Sequence, residues 1–263
     1  MVDPALTPEL RARPVRETPS EGFPAVVHPE WGALFPWLVQ GTTTSRDGAA
    51  AFDLGLFRAE SPAGEVVARW ERLREWTGAG TLVHARQVHG ADLRWHEDEA
   101  PGLRIAPSCD LHATTRPGIL LTVGLADCVP AFLVDPRRRA VALVHAGWRG
   151  TAAGALERAI EELGARAESR PGDLHVHLGP AICGACYEVG PEVFEALGVA
   201  PAPEPAPIDL RAVLAERAAA RGVRAERVTV SEHCTRCDEG GASFFSHRRG
   251  EGGRHVAFLG LRA

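Results

Sequence analysis

Short β-like segments recur along most of this chain, and they constrain its fold more than any other feature of the sequence. From residue 38 onward they read LVQGTTTS, TLVHARQVHGADL, GILLTVG, VPAFLVD, AVALVHAG, LHVHLGPA, RVTVSEH and HVAFLGLR. Most are rich in Val, Leu and Thr and are bounded by Gly, Pro or Asp, as is typical of strands. Many short strands with few helices predict an α/β or α+β sandwich, and we take α+β as the fold class.

Three helices are predicted at residues 66–76, 151–163 and 210–221. In each, the apolar residues are spaced so that they share one face. The second helix is expected to end at Gly164, because glycine is a common residue at a helix C-terminus. The third follows Asp209, a favoured N-cap residue, and is expected to stop at Gly222. Between these two helices, residues 200–207 (APAPEPAP) predict an extended connector.

We expect a single catalytic domain over residues 25–263 in the cytoplasm, and either a monomer or a homodimer. Residues 1–24 are expected to be a poorly ordered lead-in or an edge segment. A chain of 263 residues that is 45% hydrophobic suits one large domain. Its formal charge of -5 gives no general attraction to nucleic acid or anionic membranes. Its apolar runs are too short to span a bilayer, and its N-terminus lacks the apolar stretch of a secretory signal.

Two missing residue types and six cysteines limit the chemistry. The chain has no Lys, so all 29 of its basic side chains are Arg. Schiff-base catalysis and the lysine of a P-loop are therefore excluded. The absence of Asn, together with a single Met, fits a heat-adapted or GC-biased source. In a cytosolic chain, metal binding or catalysis is a better expectation for six cysteines than a disulfide framework.

Three potential metal ligands stand where β-like segments meet loops. His89 lies in QVHGAD, Cys128 in GLADCVPAF and His145 in LVHAGWRGT. Two imidazoles and a thiolate form a set that a catalytic zinc ion accepts, with its fourth position open. The alternative is that each residue is structural, since a lone buried Cys usually acts as a small hydrophobe. Three other histidines fit the same pattern: His84, His175 and His177.

The turn after His145 predicts an anion pocket beside these ligands. Gly147, Gly150 and Gly154 allow close backbone packing. The helix expected from residue 151 presents free N–H groups, and Arg149 stands next to them. The alternative is a structural turn with a solvent-facing Arg.

Several motifs occur in order along nearly the whole chain: QVHGAD, ADCVP, HAGWRG, GPAICGACYEVG and a CT-x-C followed by FFSHRRG. By these motifs the chain resembles the YfiH-like family, also called the polyphenol oxidase (laccase-like) or multifunctional purine nucleoside phosphorylase family. HAGWRG with an upstream ADC-x-P is highly specific for it. The resemblance implies a layered α/β/β/α sandwich, similar to the catalytic domain of cytotoxic necrotizing factor toxins.

The resemblance also implies one zinc ion, with copper as the other metal ascribed to relatives. The implied activities are phosphorolysis of adenosine, inosine and methylthioadenosine, with phosphate as co-substrate, and deamination of adenosine by a metal-activated water. The expected metal ligands are His89, Cys128 and His145. The expected catalytic residues are Cys128, His89, His145 and Arg149, and the expected substrate contacts are Arg46, Arg149 and Asp110.

Some positions depart from the family pattern. The family often has Asn-Leu-Gly where this chain has Asp53-Leu54-Gly55, and Asn-Arg where Arg69-Trp70 stand. The motif Thr44-Ser45-Arg46 is retained, so Arg46 is expected to contact an anion. For proton transfer, Asp110 and Asp127 are candidate acids. The alternative for Asp127 is a carboxylate that stabilises its turn.

Three other functions remain open on the sequence alone. The first is a metal-free hydrolase, in which Cys128 is the nucleophile and His145 its base. The resemblance implies the other two: an amidase that removes wrongly incorporated amino acids from peptidoglycan precursors, and a copper-dependent phenol oxidase. Separately, Cys183-x-x-Cys186 and Cys234-x-x-Cys237 predict a four-sulfur metal site or disulfides, although the gap between the two pairs is longer than usual.

Overall fold

Two seven-stranded sheets carry most of the β segments of the sequence. The structure is a computed structural model that describes residues 12–57, 60–238 and 243–263. Its helices are α1 Trp31–Leu34, α2 Ala63–Thr77, α3 Trp148–Ala152, α4 Ala155–Ala167, α5 Pro191–Leu197 and α6 Leu210–Ala220. Its strands are β1 Arg13–Val15, β2 Thr18–Pro19, β3 Ala25–Val27, β4 Leu38–Thr43, β5 Arg46–Asp47, β6 Ala50–Ala51, β7 Thr81–Ala85, β8 Leu93–His96, β9 Gly102–Ala106, β10 Leu111–Thr114, β11 Ile119–Leu125, β12 Val129–Asp135, β13 Ala140–Ala146, β14 His175–Leu178, β15 Glu188–Val189, β16 Ala206–Pro207, β17 Val228–Ser231 and β18 His255–Leu261.

The two large sheets mix parallel and antiparallel pairs. Sheet A has the strand order β1-β17-β14-β12-β13-β10-β8, and sheet B has the order β2-β3-β4-β18-β11-β7-β9. The antiparallel pair β12–β13 lies at the centre of sheet A. Every residue of both strands is buried, as expected of strands covered on both faces.

The sheets stack face to face between two helical layers. Strand β13 shows this arrangement directly. Val141 and Leu143 pack against sheet B, whereas Ala142 and Val144 pack under α4 and α6 on the other face. Successive side chains of a strand point to opposite faces, so one strand contributes to two cores. Helix α2 covers the outer face of sheet B through residues such as Trp70. The order of layers is therefore α/β/β/α.

The predicted second helix was wrong in its boundaries. Instead of one helix at 151–163, the chain forms α3 and α4, separated at Gly154, whose φ of +81° is left-handed. Gly164 does not end the helix; it lies inside α4, which continues to Ala167. Alanine and arginine after Gly164 are good helix formers and carry the helix past it.

The other two helices match their predictions closely. Helix α2 starts three residues before the predicted residue 66 and ends one residue after the predicted residue 76. Helix α6 begins after Asp209, whose side chain accepts a hydrogen bond from the backbone N–H of Arg211, as expected of an N-cap. Gly222 follows its end with a φ of +89°.

The N-terminal segment contributes one strand to the edge of each sheet. Strand β1 pairs in parallel with β17, and β2 pairs with β3. Of the expected lead-in at 1–24, residues 1–11 lie outside the described part of the chain, while 13–19 take the edge position that was one of the two expectations. Among the described helices, none is both long and apolar enough to cross a membrane.

Candidate metal centre and substrate cavity

Strand pairing brings the three predicted ligands together. In the β12–β13 pair, Pro130 lies opposite His145. Cys128, directly before β12, therefore stands near the end of β13 that carries His145. His89 comes from the loop that follows β7. The ligand atoms of His89, Cys128 and His145 all lie within 4.8 Å of one another, and the two imidazole rings are 4.9 Å apart.

Asp110 orients this cluster from behind. Its Oδ1 accepts hydrogen bonds from Nδ1 of His145 at 2.8 Å and from the backbone N–H of His89 at 2.9 Å. Its Oδ2 accepts from the N–H groups of Val88 and Gly90. With Nδ1 donating to a carboxylate, His145 leaves Nε2 for a metal ion. The structure thus places Asp110, which is fully buried, against a ligand and the ligand loop.

Two residues at the cluster have left-handed backbone conformations. His89 has a φ of 60° and Asp127 a φ of 90°, which is uncommon for residues other than glycine. Three backbone N–H groups of this turn, which donate to Asp110, hold the first of these conformations. The second is held by the side chain of Asp127, which accepts hydrogen bonds from Oγ1 of Thr235 and the N–H of Arg248. Such strain persists only where the surroundings enforce it, and it is concentrated at functional sites.

Gly147 leaves the space that the cluster occupies. A Cβ atom added to it would lie 2.9 Å from Sγ of Cys128 and 3.1 Å from Cδ2 of His89. Its φ of -80° is open to any residue, so space alone demands glycine here. A Cβ on Gly150 would lie 3.1 Å from the carbonyl oxygen of Gly90. Both glycines therefore let the start of α3 pack closely against the ligand loop.

The ligands also adjust each other's protonation. Burial opposes ionisation of Cys128, but the charge of His145 and hydrogen bonds from His145 and His89 outweigh it and lower the pKa of the thiol to about 6. Burial likewise disfavours the charged form of His145, yet the Cys128 thiolate and Asp110 raise its pKa to about 9. Cys128 is thus held as the thiolate, which is the form that binds metals.

The donor set fits a bound metal ion. Two imidazole nitrogens and one thiolate converge from separate elements, and protein ligands of this number and type leave one position of a tetrahedral zinc ion open. Two histidines and a cysteine also suit copper. The space beside Gly147, free of any side chain, admits the ligands at close range.

A cavity of about 690 Å³ opens beside the cluster. This volume falls within the range of small-molecule sites. Its lining is part apolar and part cationic: Leu54, Leu56, Phe57, His84, Arg86, Gln87, His247 and Arg254, with the three cluster residues. The ring of Phe57 is 49% exposed and stacks against His84 at 6.0 Å.

His84 offers a hydrogen-bond acceptor in this cavity. Oγ1 of Thr122 donates to the carbonyl oxygen of Val83, so it must accept from Nδ1 of His84 at 3.0 Å. The proton therefore resides on Nδ1, and Nε2 carries a lone pair. Burial lowers the pKa of His84 to about 4, so the ring is neutral at pH 7.

The structure does not bring the two expected anion contacts into this cavity. Arg149 is exposed, and its guanidinium lies 4.2 Å from the ring centre of Trp148. Arg46 lines a separate cavity of about 220 Å³, beside Arg249 and Glu251. Among the described residues, the arginines in the wall of the larger cavity are Arg86 and Arg254.

The positions that depart from the family pattern are structural here. Asp53 is 1% exposed, and its carboxylate accepts hydrogen bonds from the N–H groups of Gly55, Glu60, Ser61 and Arg254. Arg69 donates to the carbonyl oxygen of Asp53 and pairs with Glu65. These contacts anchor the loop that carries Leu54 and Phe57 to the cavity.

Sequence reasoning missed most of the cavity wall. The sequence pattern offers His84 only as a potential metal ligand, and it does not mark Arg86, Arg254 or Phe57. The motifs held part of the signal, because FFSHRRG contains His247 and Arg86 stands just before QVHGAD. The other two histidines considered as ligands lie elsewhere. His177 bonds Glu17 and Thr229, and His175 packs on Phe35.

The chain belongs to the multi-copper polyphenol oxidoreductase laccase family, the YfiH-like family, whose sequence model matches residues 39–262. This confirms the resemblance that the motifs indicated.

Relatives with named activities extend over much of the chain. It is 36% identical over 254 residues to the purine nucleoside phosphorylase YlmD of Geobacillus stearothermophilus, covering 87% of this chain and 92% of that protein. It is 37% identical over 185 residues to the adenosine deaminase RL5 of an unknown prokaryotic organism, covering 64% of this chain and 70% of that protein. The crystal structure of YlmD from Geobacillus stearothermophilus has the same fold, with a TM-score of 0.85 and 32% identity over 95% of this chain and all of that one.

Proposed function

We propose that this chain is a zinc-dependent purine nucleoside phosphorylase acting on adenosine, inosine and methylthioadenosine, with adenosine deamination as a second activity. The observation that carries the proposal is the convergence of His89, Cys128 and His145, within 4.8 Å, at a cavity large enough for a nucleoside. Relatives named for both activities support it. The catalytic domain would span residues 25–263. Its cytoplasmic location, its state as a monomer or homodimer and its likeness to the toxin domain stay predictions.

The ligand residues would act through their fixed geometry. Asp110 holds His145 with Nε2 presented, and Gly147 keeps the space beside Cys128 clear. A zinc ion held there by His89, Cys128 and His145 would supply a Lewis acid able to polarise a substrate oxygen and to activate water. Because the Asp110 carboxylate contacts the His145 ring and the ligand loop, Asp110 would move protons only through His145.

The cavity wall would bind the substrates. In phosphorolysis an oxygen of hydrogen phosphate bonds to C1′ of the ribose as the bond from C1′ to the purine breaks, and the released purine takes up the proton that the phosphate loses. Arg86 is exposed on the wall, and its charge would hold the phosphate beside the ribose. Arg149 and Arg46 remain sequence-based candidates for this contact, but we favour Arg86 because it lines the cavity.

The purine would lie against Phe57. Its half-exposed ring offers an aromatic face, and stacking on it would hold the base within the cavity. Nε2 of His84 would accept a hydrogen bond from a ribose hydroxyl or an amino group of the base. A positively charged imidazole could not do so, and burial of His84 prevents that charge.

The test is a substrate panel on protein of known metal content. Adenosine, inosine and methylthioadenosine are incubated with and without phosphate, and bases and ammonia are quantified. We expect phosphate-dependent release of bases, lost in His89→Ala and Cys128→Ala. His175→Ala is the matched control, since it removes an imidazole outside the cavity. Untouched nucleosides, with cleavage of UDP-MurNAc–L-serine or oxidation of a phenol, would replace the proposal with the amidase or the copper oxidase.

A second candidate is the metal-free Cys–His hydrolase, which the electrostatics of the pair favour. A thiol with a pKa of about 6 beside an imidazole with a pKa of about 9 forms an ion pair at neutral pH. This candidate requires that activity survive complete removal of metal and be abolished by alkylation of Cys128. Loss of activity on metal removal, with recovery on adding zinc back, would exclude it.

A further inference from the structure

A second cluster of sulfur atoms lies apart from the substrate cavity. The Sγ atoms of Cys183, Cys186, Cys234 and Cys237 all lie within 4.8 Å of one another. The two CxxC pairs come from distant segments: the turn Gly184–Cys186 and the segment after β17. The fold therefore brings together two CxxC pairs whose separation in the sequence is longer than usual for a zinc site. We propose that these four cysteines bind a second metal ion, a structural zinc.

The distances match such an ion. Zinc binds sulfur at about 2.3 Å, which places the sulfurs of a tetrahedron about 3.8 Å apart. Sγ of Cys183 and Sγ of Cys237 are 3.8 Å apart. A disulfide needs about 2.05 Å, and all six cysteines are free. This one separation is that of two ligands of a shared zinc ion, and the other two sulfurs lie within 4.8 Å of both.

Backbone amides point at one of the sulfurs. The N–H groups of Cys183 and Arg236 donate to Sγ of Cys234, at 3.2 and 3.4 Å. Such donors stabilise negative charge on sulfur, and outer hydrogen bonds of this kind tune metal–thiolate sites. Cys234 is 5% exposed, so the charge would otherwise be costly to bury.

A buried arginine fixes the segment that leads to Cys234. Arg211 is 6% exposed, and its guanidinium pairs with the carboxylate of Asp209 at 2.8 and 3.0 Å. Its guanidinium donates to the carbonyl oxygens of Ser231 and His233, in the segment that leads to Cys234. These contacts hold the segment that carries Cys234 in place beside the cluster.

The position of the cluster gives the ion a structural purpose. The two segments are joined by a bridge between Ala181 and Cys234. Both reach the turn before Cys128: the N–H of Ile182 donates to the carbonyl oxygen of Asp127, and Thr235 donates to its carboxylate at 2.6 Å. An ion that ties these segments together would stabilise the left-handed turn at Asp127.

The test is metal stoichiometry of the full chain, purified without tag or chelator. We expect about two zinc ions per chain in the wild type and about one in Cys237→Ser and Cys186→Ser. Cys128→Ala should also hold about one, lost from the other site. Cys109→Ala is the control: it removes a thiol outside both clusters and should keep both ions. A folded Cys237→Ser variant with the metal content of the wild type would overturn the proposal.

A second measurement uses the wild type, so that the proposal is tested even if the cysteine variants fail to fold. Wild-type protein reconstituted with cobalt should show the strong absorption of a tetrahedral four-thiolate site, which a site with one thiolate cannot give. Thiol titration of the denatured, unreduced wild type should find all six cysteines reduced. Absence of the four-thiolate absorption, or recovery of only two to four thiols because the pairs are oxidised, would refute the second site. Both readouts are independent of activity, so they hold whether or not the proposed reaction is correct.

Discussion

Replacing Gly147 with Ala tests whether the space at the metal cluster is essential. The added methyl would lie 2.9 Å from Sγ of Cys128 and 3.1 Å from Cδ2 of His89. Relaxed contacts between such atoms are about 3.5–4.0 Å, so one or both ligands must move by about 0.5–1 Å. A displacement of this size at a reacting centre costs roughly 100-fold in rate.

The backbone conformation at Gly147 indicates that the substitution will not disturb the rest of the fold. Gly147 has a φ of -80°, which alanine adopts freely, so the folded chain should keep its secondary structure. We expect kcat/KM for inosine with phosphate to fall about 100-fold. Metal retention during dialysis should fall as well, while the circular dichroism spectrum is unchanged.

Gly64→Ala is the matched control. This residue lies in α2, nothing is within 4 Å of its added Cβ, and alanine favours helix by about 1 kcal/mol. The control should therefore keep its metal and activity. A Gly147→Ala enzyme with wild-type kcat/KM and metal content would refute the steric argument.

Three further predictions follow from the same geometry. Asp110→Asn should weaken metal binding about 10–100-fold, measured by competition with a chelator, because His145 loses its carboxylate partner; unchanged affinity would contradict this. Phe57→Ala should raise KM for adenosine about 10-fold with little change in kcat or in Tm, because the ring is half exposed; an unchanged KM would exclude stacking on it. His255 is fully buried and has no hydrogen-bond partner among the described residues, and burial lowers its pKa from 6.5 to about 3. Between these two pKa values the unfolded chain binds more protons than the folded chain does. The free energy of unfolding is therefore highest above pH 6.5 and falls as the pH drops, by roughly 2 kcal/mol from pH 7 to 5. Urea unfolding of His255→Phe should show a flatter pH dependence than the wild type, and an equal slope would contradict the assignment.

Local patterns in the sequence predicted four adjacent strands of each large sheet, because apolar runs and their bounding residues are local signals. These strands are β17, β14, β12 and β13 in sheet A and β4, β18, β11 and β7 in sheet B, whereas the other three strands of each sheet were not predicted. The predicted helix boundaries at 151–163 were wrong, and the reason is also local. The sequence does not state the sign of φ at a glycine, so Gly154 could not be told from Gly164 as the residue that breaks the helix. The residues of the cavity wall could not be predicted for a different reason. Arg86, Phe57 and Arg254 come from three distant segments, and only the packed fold shows that they share a surface.

The metal ligands could be predicted only in part. Their residue types indicated a metal site, but their spacing in the sequence did not. Its proximity depends on the register of sheet A. Leu111 pairs with Val144, which places Asp110 beside His145, and Pro130 pairs with His145, which brings Cys128 alongside. A shift of one residue would turn every side chain of β13 to the opposite face, and both faces of that strand are buried. The apolar cores on the two sides of β13 thus fix the register, and the register holds Asp110 and Cys128 against His145. Core substitutions that loosen β13 should therefore impair metal binding before the chain unfolds.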